Sequence, residues 1–149
     1  MFELSSKDQD EITITTKETS VKFNVAESEI DANLAVGIIK GPGEFEIGDV
    51  TVRGIATDGG STIYDAAVGT VHIGIIGGAE DKLDDLGMID ILCTSSTKVI
   101  KEIEPKVIVA MGNVDGMVTE LKLSARTEKK YKLKRADDLP TTQEVIVLN

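Results

Sequence analysis

Apolar and polar residues follow one another along this chain in patterns that predict strands more often than helices. Two segments, EITITT at 11–16 and SVKFNV at 20–25, alternate between the two classes around a short polar turn. This alternation is typical of a hairpin with one buried face. The run NLAVGII at 33–39 is more uniformly apolar, which predicts a strand covered on both faces. Further strands are predicted at 50–57, 61–68, 70–77, 88–94, 106–111 and 144–148.

Helix signals are fewer and shorter. The segment SSTKVIKEIE at 95–104 predicts a helix that has Ser95 or Ser96 as its N-cap and ends before Pro105. The segment that follows Gly112, at 113–123, has a weaker helical pattern.

Two glycine-containing segments complete the prediction of local structure. EDKLDDLG at 80–87 predicts a short acidic helix that ends at Gly87. KGPGEFEIGD at 40–49 is rich in turn-forming residues and predicts a loop or a short hairpin. No repeat or linker interrupts the pattern. We therefore expect a single domain over residues 1–149, with about eight or nine strands inside and short helices outside.

Composition places the chain among soluble globular proteins, since 41% of the residues are hydrophobic and 28% are charged. The formal net charge is -10, although the segment 126–135 is strongly basic. A surface this acidic repels nucleic acid and anionic lipid, so neither is expected as a partner. The lone cysteine, Cys93, together with the lack of a secretory pattern, predicts a reducing, cytoplasmic location.

Four segments, taken in order, resemble the small hydrolases of the metallo-β-lactamase fold. They are IKGPGEFEIGDVTVRGIAT (39–57), GSTIYDAAVGTVHIGIIGGAEDKLDDLGMIDILCTSS (60–96), VIKEIEPKVIVAMGN (99–113) and LKRADDLPTTQEVIVLN (133–149). The family has a GPGEYEV pattern in the first segment, a strand ending in His-Leu-Gly-Asp in the second and Met-His-Tyr in the third. The resemblance implies an α+β fold, a reduced αββα sandwich with short helices on its outer faces.

The same resemblance marks the places where the family binds one or two metal ions, usually zinc. Its His-x-His-x-Asp-His loop follows an early strand, whereas the run at 33–39 continues directly into KGPGEF here. The bridging aspartate of the family corresponds to Gly78, and the histidine of Met-His-Tyr corresponds to Gly112. The resemblance therefore implies a degenerate, metal-free pseudoenzyme with no cofactor. Its vestigial site positions are Gly78, Ser95, Ser96, Gly112 and Asn113.

The inventory of metal-binding side chains leads to the same expectation without the resemblance. A zinc site needs three or four ligands at about 2.0–2.3 Å, and imidazole or thiolate usually supplies most of them. The chain has one histidine, His72, and one cysteine, Cys93. His72 also falls in the middle of a predicted strand rather than at its end. A zinc site of the family type cannot be built from these two residues.

His72 and Cys93 each have a catalytic and a structural interpretation. His72 could act as a general base, but its position between Val71 and Ile73 favours a structural histidine that is exposed or satisfied by a partner. Cys93 could act as a nucleophile, but it lies near the end of a predicted buried strand. A small core residue is therefore the favoured interpretation of Cys93.

The glycine-rich segments GPGEF at 41–45 and IIGGAE at 75–80 could hold a phosphate through their backbone N–H groups. Acidic residues crowd the predicted helix that begins at the end of the second segment and would repel a phosphate, so turn glycines inherited from a former active site are favoured. Four acids could instead bind a hard cation, but their spacing does not match a calcium loop. They are Asp58, Glu80, Asp81 and Asp115.

A basic stripe follows near the C-terminal end of the chain, where lysines alternate with apolar residues. Its members are Lys130, Lys132 and Lys134. The pattern is typical of an exposed edge strand guarded by lysines, and a docking patch is the less favoured interpretation.

Together these observations predict a non-catalytic protein that acts in binding, scaffolding or assembly. Loss of elements from a closed sandwich would expose sheet edges, so we expect a homo-oligomer, most simply a two-fold dimer, or a protein partner. An alternative stays open: a hydrolase of a small ester, lactone or phosphoester with a rebuilt, non-zinc site near the vestigial positions. A sensor that holds a small ligand in the emptied cleft is a third hypothesis.

Overall fold

Strands dominate the structure, a computed structural model that describes residues 1–32 and 37–149. The strands within these residues are β1 (Phe2–Ser5), β2 (Glu11–Thr15), β3 (Ser20–Asn24), β4 (Glu29–Asp31), β5 (Ile38–Lys40), β6 (Gly43–Ile47), β7 (Val50–Ala56), β8 (Thr62–Val68), β9 (Val71–Ile75), β10 (Ile91–Thr94), β11 (Val107–Ala110), β12 (Ala125–Glu128), β13 (Tyr131–Leu133) and β14 (Glu144–Leu148). The α-helices are α1 (Thr97–Ile103) and α2 (Val114–Leu121).

The alternating N-terminal segments form most of a six-stranded sheet. Its order is β13-β1-β2-β3-β4-β5, and every neighbouring pair is antiparallel. The hairpin predicted over 11–16 and 20–25 is confirmed as β2 and β3. Its apolar residues Ile12, Ile14, Val21 and Phe23 are fully buried, whereas the polar residues between them keep contact with solvent.

The remaining strands form an eight-stranded mixed sheet in the order β12-β14-β11-β10-β9-β8-β7-β6. The pairs β6–β7, β7–β8 and β8–β9 are antiparallel, whereas the pairs β9–β10, β10–β11, β11–β14 and β14–β12 are parallel. The strands predicted at 50–57, 61–68, 70–77, 88–94, 106–111 and 144–148 are confirmed as β7 to β11 and β14. Because parallel strands end at the same edge of a sheet, the chain segments that follow β9, β10 and β11 lie together.

The two sheets pack against each other through one apolar cluster that draws residues from both. Phe23 of β3 and Tyr64 of β8 meet across this interior, with ring centroids 5.3 Å apart and a tilt of 58° between the planes. The Tyr64 hydroxyl donates to the backbone oxygen of Ser28 at 2.7 Å, which satisfies the one polar atom of that side chain. This contact therefore ties the interior of one sheet to a turn of the other.

Both α-helices cover the eight-stranded sheet. Helix α1 begins after Ser96, whose hydroxyl accepts a hydrogen bond from the Val99 N–H at 3.3 Å, so the predicted N-cap is confirmed. Val99 and Ile100 of α1 and Met117 of α2 are buried in a second apolar cluster with residues from the outer face of this sheet. Helices on both outer faces, as expected for an αββα sandwich, are thus not confirmed.

One predicted element differs from the structure, and another takes one of its two predicted forms. The acidic segment 80–87 forms only a single 3-10 turn at Leu83–Asp85 instead of a helix. Four carboxylates within six residues repel one another, and so short a segment cannot offset the cost of helix nucleation. The predicted loop or hairpin at 40–49 contains β6, which forms a hairpin with β7.

The strand predicted at 33–39 falls partly on residues 33–36, which lie outside the described part of the chain. Within that part, β5 is the edge of the six-stranded sheet, and Ile38 keeps 53% of its surface exposed. At this end, therefore, the expected covering on both faces is wrong. The lysine stripe also lies at an edge, because β13 is the opposite outer strand of the same sheet. No helix among the described residues has the length and apolar character needed to cross a lipid bilayer.

Candidate functional site

The positions that the resemblance marks as vestigial lie along one edge of the eight-stranded sheet, where its parallel strands end. They are Gly78 after β9, Ser95 and Ser96 after β10, and Gly112 and Asn113 after β11. Strand β10 pairs with both of its neighbours, which sets the three segments side by side. This edge is where open α/β sheets usually hold their ligands.

Hydrogen bonds tie the three segments to one another. The Thr94 hydroxyl donates to the Gly77 oxygen at 3.3 Å and also accepts from the Ser96 N–H at 3.2 Å. The Asn113 side-chain amide donates to the Ser95 oxygen at 3.3 Å. Two of these three contacts join a side chain to a backbone group of a neighbouring segment, and the third is local to the end of β10. The polar residues at this edge therefore close the strand ends against each other.

Gly112 has the backbone and the surroundings of a residue that carries no side chain. Its φ is +87°, in the left-handed region that L side chains rarely adopt, and Asn113 follows with a φ of +54°. A Cβ atom built on Gly112 would lie 2.8 Å from Oε1 of Gln9. The Gln9 carboxamide, from the turn between β1 and β2, thus fills the space into which a side chain at position 112 would project.

Gly78 is different, because it is exposed and a Cβ atom built on it would meet no atom within 4 Å. The turn after β3 approaches the preceding residue: a Cβ on Gly77 would lie 3.6 Å from a methyl carbon of Val25. Turns of the six-stranded sheet therefore reach this edge at two places, beside Gly77 and beside Gly112.

The same edge borders a cleft of about 280 Å³ between the two sheets. Gln9, Lys7 and Asp8 lie on one side of it. Met111, Gly112 and apolar residues of β11, β14 and α2 line the rest. The volume is slightly below the usual range for sites that bind small molecules.

The residues present do not fit a zinc site of the kind that the resembled family holds. Within the described residues, no group of three or more His, Cys, Asp or Glu side chains is placed to hold a metal ion. The residues at 33–36 are Asn, Leu, Ala and Val, so they add none of these donors. The only histidine, His72, lies near the start of β9, roughly 20 Å along the strand from Gly78.

His72 is held by two buried aspartates on the outer face of the eight-stranded sheet. Its Nδ1 atom lies 3.0 Å from both carboxylate oxygens of Asp65, which is on the neighbouring strand β8. The His72 backbone N–H donates to Oδ2 of Asp90 at 2.9 Å, and the Asp90 N–H donates back to the His72 oxygen at 2.9 Å. Since both sides of the residue are engaged, the structural interpretation of His72 agrees with the geometry.

Asp90 is a structural residue that the sequence analysis did not identify. Besides its two bonds to His72, its backbone oxygen accepts from the N–H groups of Lys106 and Val107 at 2.9 and 3.1 Å. It therefore connects the starts of β9, β10 and β11, at the sheet edge opposite to the vestigial positions. A lone Asp before an apolar run carries no signal of this role.

Cys93 is fully buried within β10. Burial raises the pKa of its thiol to about 12, so the thiolate that a nucleophile requires is not formed near neutral pH. The predicted core role of Cys93 agrees with this environment.

The candidate cation ligands do not converge on one site. The carboxylate of Asp81 accepts a hydrogen bond from the Asp58 N–H at 2.8 Å, and this bond lowers the pKa of Asp81. The Asp58 side chain lies 3.7 Å from the Lys82 ammonium group. The acids at 58 and 81 thus stabilise a loop contact.

Lysines of the basic stripe are partly neutralised by β1. Lys130 and Lys132 lie 3.5 and 3.6 Å from the Glu3 carboxylate. The stripe therefore behaves as the charged margin of an edge strand, in agreement with the favoured interpretation.

Comparison with known proteins identifies the fold but not the family. No family model matches the chain, and no curated protein matches it. A solved structure from Thermotoga maritima, of a protein described as a Zn-dependent hydrolase of the metallo-β-lactamase superfamily, is similar over 99% of this chain and 98% of that one. The TM-score is 0.73 and the sequence identity is 17%. The chain therefore has a strand-rich α+β fold of the metallo-β-lactamase type.

Proposed function

We propose that this chain is a non-catalytic protein of the metallo-β-lactamase fold that works by binding or assembly. The observation that carries the proposal is the Gly112 turn. Its left-handed backbone disfavours any side chain, and the Gln9 carboxamide occupies the space beside it. The strand ends where a hydrolase of this fold would hold its metal are here closed by glycines and by bonds to backbone groups.

A hydrolase with a rebuilt site would still need a nucleophile or water activated by a base. In the described part of the chain, no imidazole, carboxylate or amine forms a hydrogen bond with the hydroxyl of Ser95 or Ser96. Ser96 uses its hydroxyl to cap α1. His72 is held at the far end of β9, and Cys93 is buried as a thiol. These placements support a binding role over hydrolysis.

The charge and composition of the chain narrow the partner class. With a net charge of -10, another protein or a second copy of this chain is a more suitable partner than nucleic acid or an anionic membrane. A free, buried thiol is compatible with the reducing cytoplasm, which we propose as its location.

The proposal is tested by the metal content of protein purified without chelators and without a metal-affinity tag. We expect zinc, manganese and iron to be well below one ion per chain by elemental analysis, and zinc titration to show no saturable site. The H72A variant is the control, because it removes the only imidazole and therefore any zinc binding through His72.

Stoichiometric metal that persists in H72A would overturn the proposal. Steady turnover of nitrophenyl esters, lactones or phosphoesters above the buffer rate would also overturn it, in favour of a rebuilt site. Absence of both metal and turnover is the expected result.

A further inference from the structure

Strand β12 is an outer strand of the eight-stranded sheet, and among the described strands it pairs with β14 alone. Ala125, Arg126 and Thr127 are all exposed. A strand in this position presents a row of N–H and C=O groups to which another chain can pair. The strand consists of four residues, ARTE, and is too short and too polar to be an apolar, aggregation-prone edge. A partner for this edge should therefore be complementary in charge to Arg126 and Glu128.

The register with β14 fixes which backbone groups of β12 face outward. Glu128 pairs with Leu148, and the Asn149 N–H donates to the Glu128 oxygen at 3.0 Å. The backbone groups of Glu128 therefore point toward β14. Because successive residues of a strand alternate in direction, those of Thr127 point away from β14, toward the free edge.

A two-fold axis beside Thr127 would bring two copies of β12 together as an antiparallel pair. Thr127 of each copy would donate its N–H to the oxygen of the other, which is the close, hydrogen-bonded pairing of antiparallel strands. The residues on either side then face their counterparts in the partner, so that Arg126 lies opposite the partner's Glu128, and Glu128 lies opposite the partner's Arg126. Such non-hydrogen-bonded pairs bring side chains closest, with Cα atoms about 4.5 Å apart.

This pairing is complementary in charge. Arg126 already lies 3.1 Å from Glu128 and 3.2 Å from Glu144 within its own chain. A guanidinium group carries five N–H donors, so Arg126 can add a contact to a facing carboxylate without losing these. Lys129 of one copy would lie roughly 14 Å from Lys129 of the other, because four residues of strand separate them. Opposite charges thus meet at the centre and like charges stay apart.

Two other edge strands of the sandwich, β6 and β13, would bring like charges together if two copies paired in the same way about a two-fold axis. The backbone groups of Glu44 and Glu46 face the free edge of β6, so an axis beside either one would set that glutamate against its own copy. An axis beside Lys132 in β13 would set that lysine against its own copy. Like charges directly opposite one another destabilise a strand pair.

We propose that β12 is a self-recognition surface that joins two copies of this chain, edge to edge, into a two-fold dimer with one continuous sheet. Strand β12 would then be the surface through which the assembly in the proposed function occurs, and the inference rests on that proposed function. The paired area is small, so the dimer is expected to be weak and dependent on concentration.

Charge reversal tests the surface. Sedimentation velocity of the wild type over a series from micromolar to millimolar concentration should show a monomer–dimer equilibrium. R126E and E128R should each weaken dimerisation by about tenfold or more, because each sets like charges opposite one another. An equimolar mixture of the two variants should form a heterodimer, since the acidic edge of one then faces the basic edge of the other.

Two further variants guard against trivial explanations. T127P removes the N–H at the proposed axis while keeping the bonds to β14, and it should give a monomer with an unchanged circular dichroism spectrum. E27R reverses an exposed charge in the turn after β3, which belongs to the other sheet, and should dimerise like the wild type.

A wild type that stays monomeric throughout, single variants that dimerise normally, or a mixture of folded variants that fails to associate would each overturn the inference. Metal content measured on the same samples separates this outcome from failure of the proposed function. A metal-bound dimer would refute the non-catalytic role alone, and a metal-free monomer would refute the β12 surface alone.

Discussion

Substitution of the two vestigial glycines by alanine should have opposite effects on stability, and the structure gives the size of the difference. At Gly112, φ is +87°, and forcing an L side chain into the left-handed region costs about 1–2 kcal/mol. The clash of the new methyl group with Gln9 adds little, because the contacted atom is the end of a flexible side chain. G112A should therefore lower the free energy of unfolding by about 1–2 kcal/mol.

G78A is the matched control. A methyl group at this position meets no atom within 4 Å, and the backbone is not in the left-handed region. Alanine also restricts the unfolded chain more than glycine does, which stabilises a protein by about 0.4–1 kcal/mol where the native backbone tolerates it. G78A should therefore equal or slightly exceed the wild type in stability, even though the resemblance assigns both glycines to the same lost site.

Urea unfolding followed by far-ultraviolet circular dichroism measures both variants, since the chain has no tryptophan for fluorescence. With an m-value of about 2 kcal/mol per molar urea, G112A should shift the midpoint downward by about 0.5–1 M. Adding Q9A to G112A should recover only a small part of the loss. If G112A and G78A have the same midpoint, the left-handed turn and the argument built on it are wrong.

Three other outcomes follow from buried groups. D90A should lower the free energy of unfolding by about 2 kcal/mol, because it leaves the His72 N–H without its acceptor. D90N keeps a side-chain oxygen and should lose less stability. Equal stability of D90A and the wild type in urea would contradict this prediction. Cys93 should resist a thiol reagent at neutral pH until the protein unfolds, which absorbance at fixed urea concentrations would reveal. Stability should also fall as pH rises from 9.0 toward 12. Burial raises the thiol pKa of Cys93 from 9.0 to about 12 in the folded state, so the unfolded chain releases that proton first. C93A should show a smaller fall in thermal melts at alkaline pH.

Strands with a buried face could be predicted from the sequence, and strands defined by their neighbours could not. The segments 61–68 and 70–77 have apolar residues at their buried positions, so the sequence pattern predicts these strands. Strand β12 has no buried face at all, and its extended form depends on backbone bonds to β14. The acidic segment 80–87 misled for the converse reason, because its local pattern resembles a helix while its charges oppose one.

The candidate site was only partly predictable. Resemblance identified Gly78 and Gly112, and strand order explains why they share an edge. Gly112 and Gln9 lie about a hundred positions apart in the sequence, and no sequence pattern near either residue predicts their contact. Asp90 gave equally little signal, since its role depends on backbone groups of two other strands.

The contact of Tyr64 with Phe23 and Ser28 gives this molecule an internal reporter. Tyr64 and Tyr131 are its only tyrosines, and both are buried, one in each sheet. If the layers part before their strands unravel, the near-ultraviolet dichroism of these rings would vanish while the far-ultraviolet signal persists. The separation of the two sheets could thus be followed during unfolding without introducing any dye or foreign chromophore.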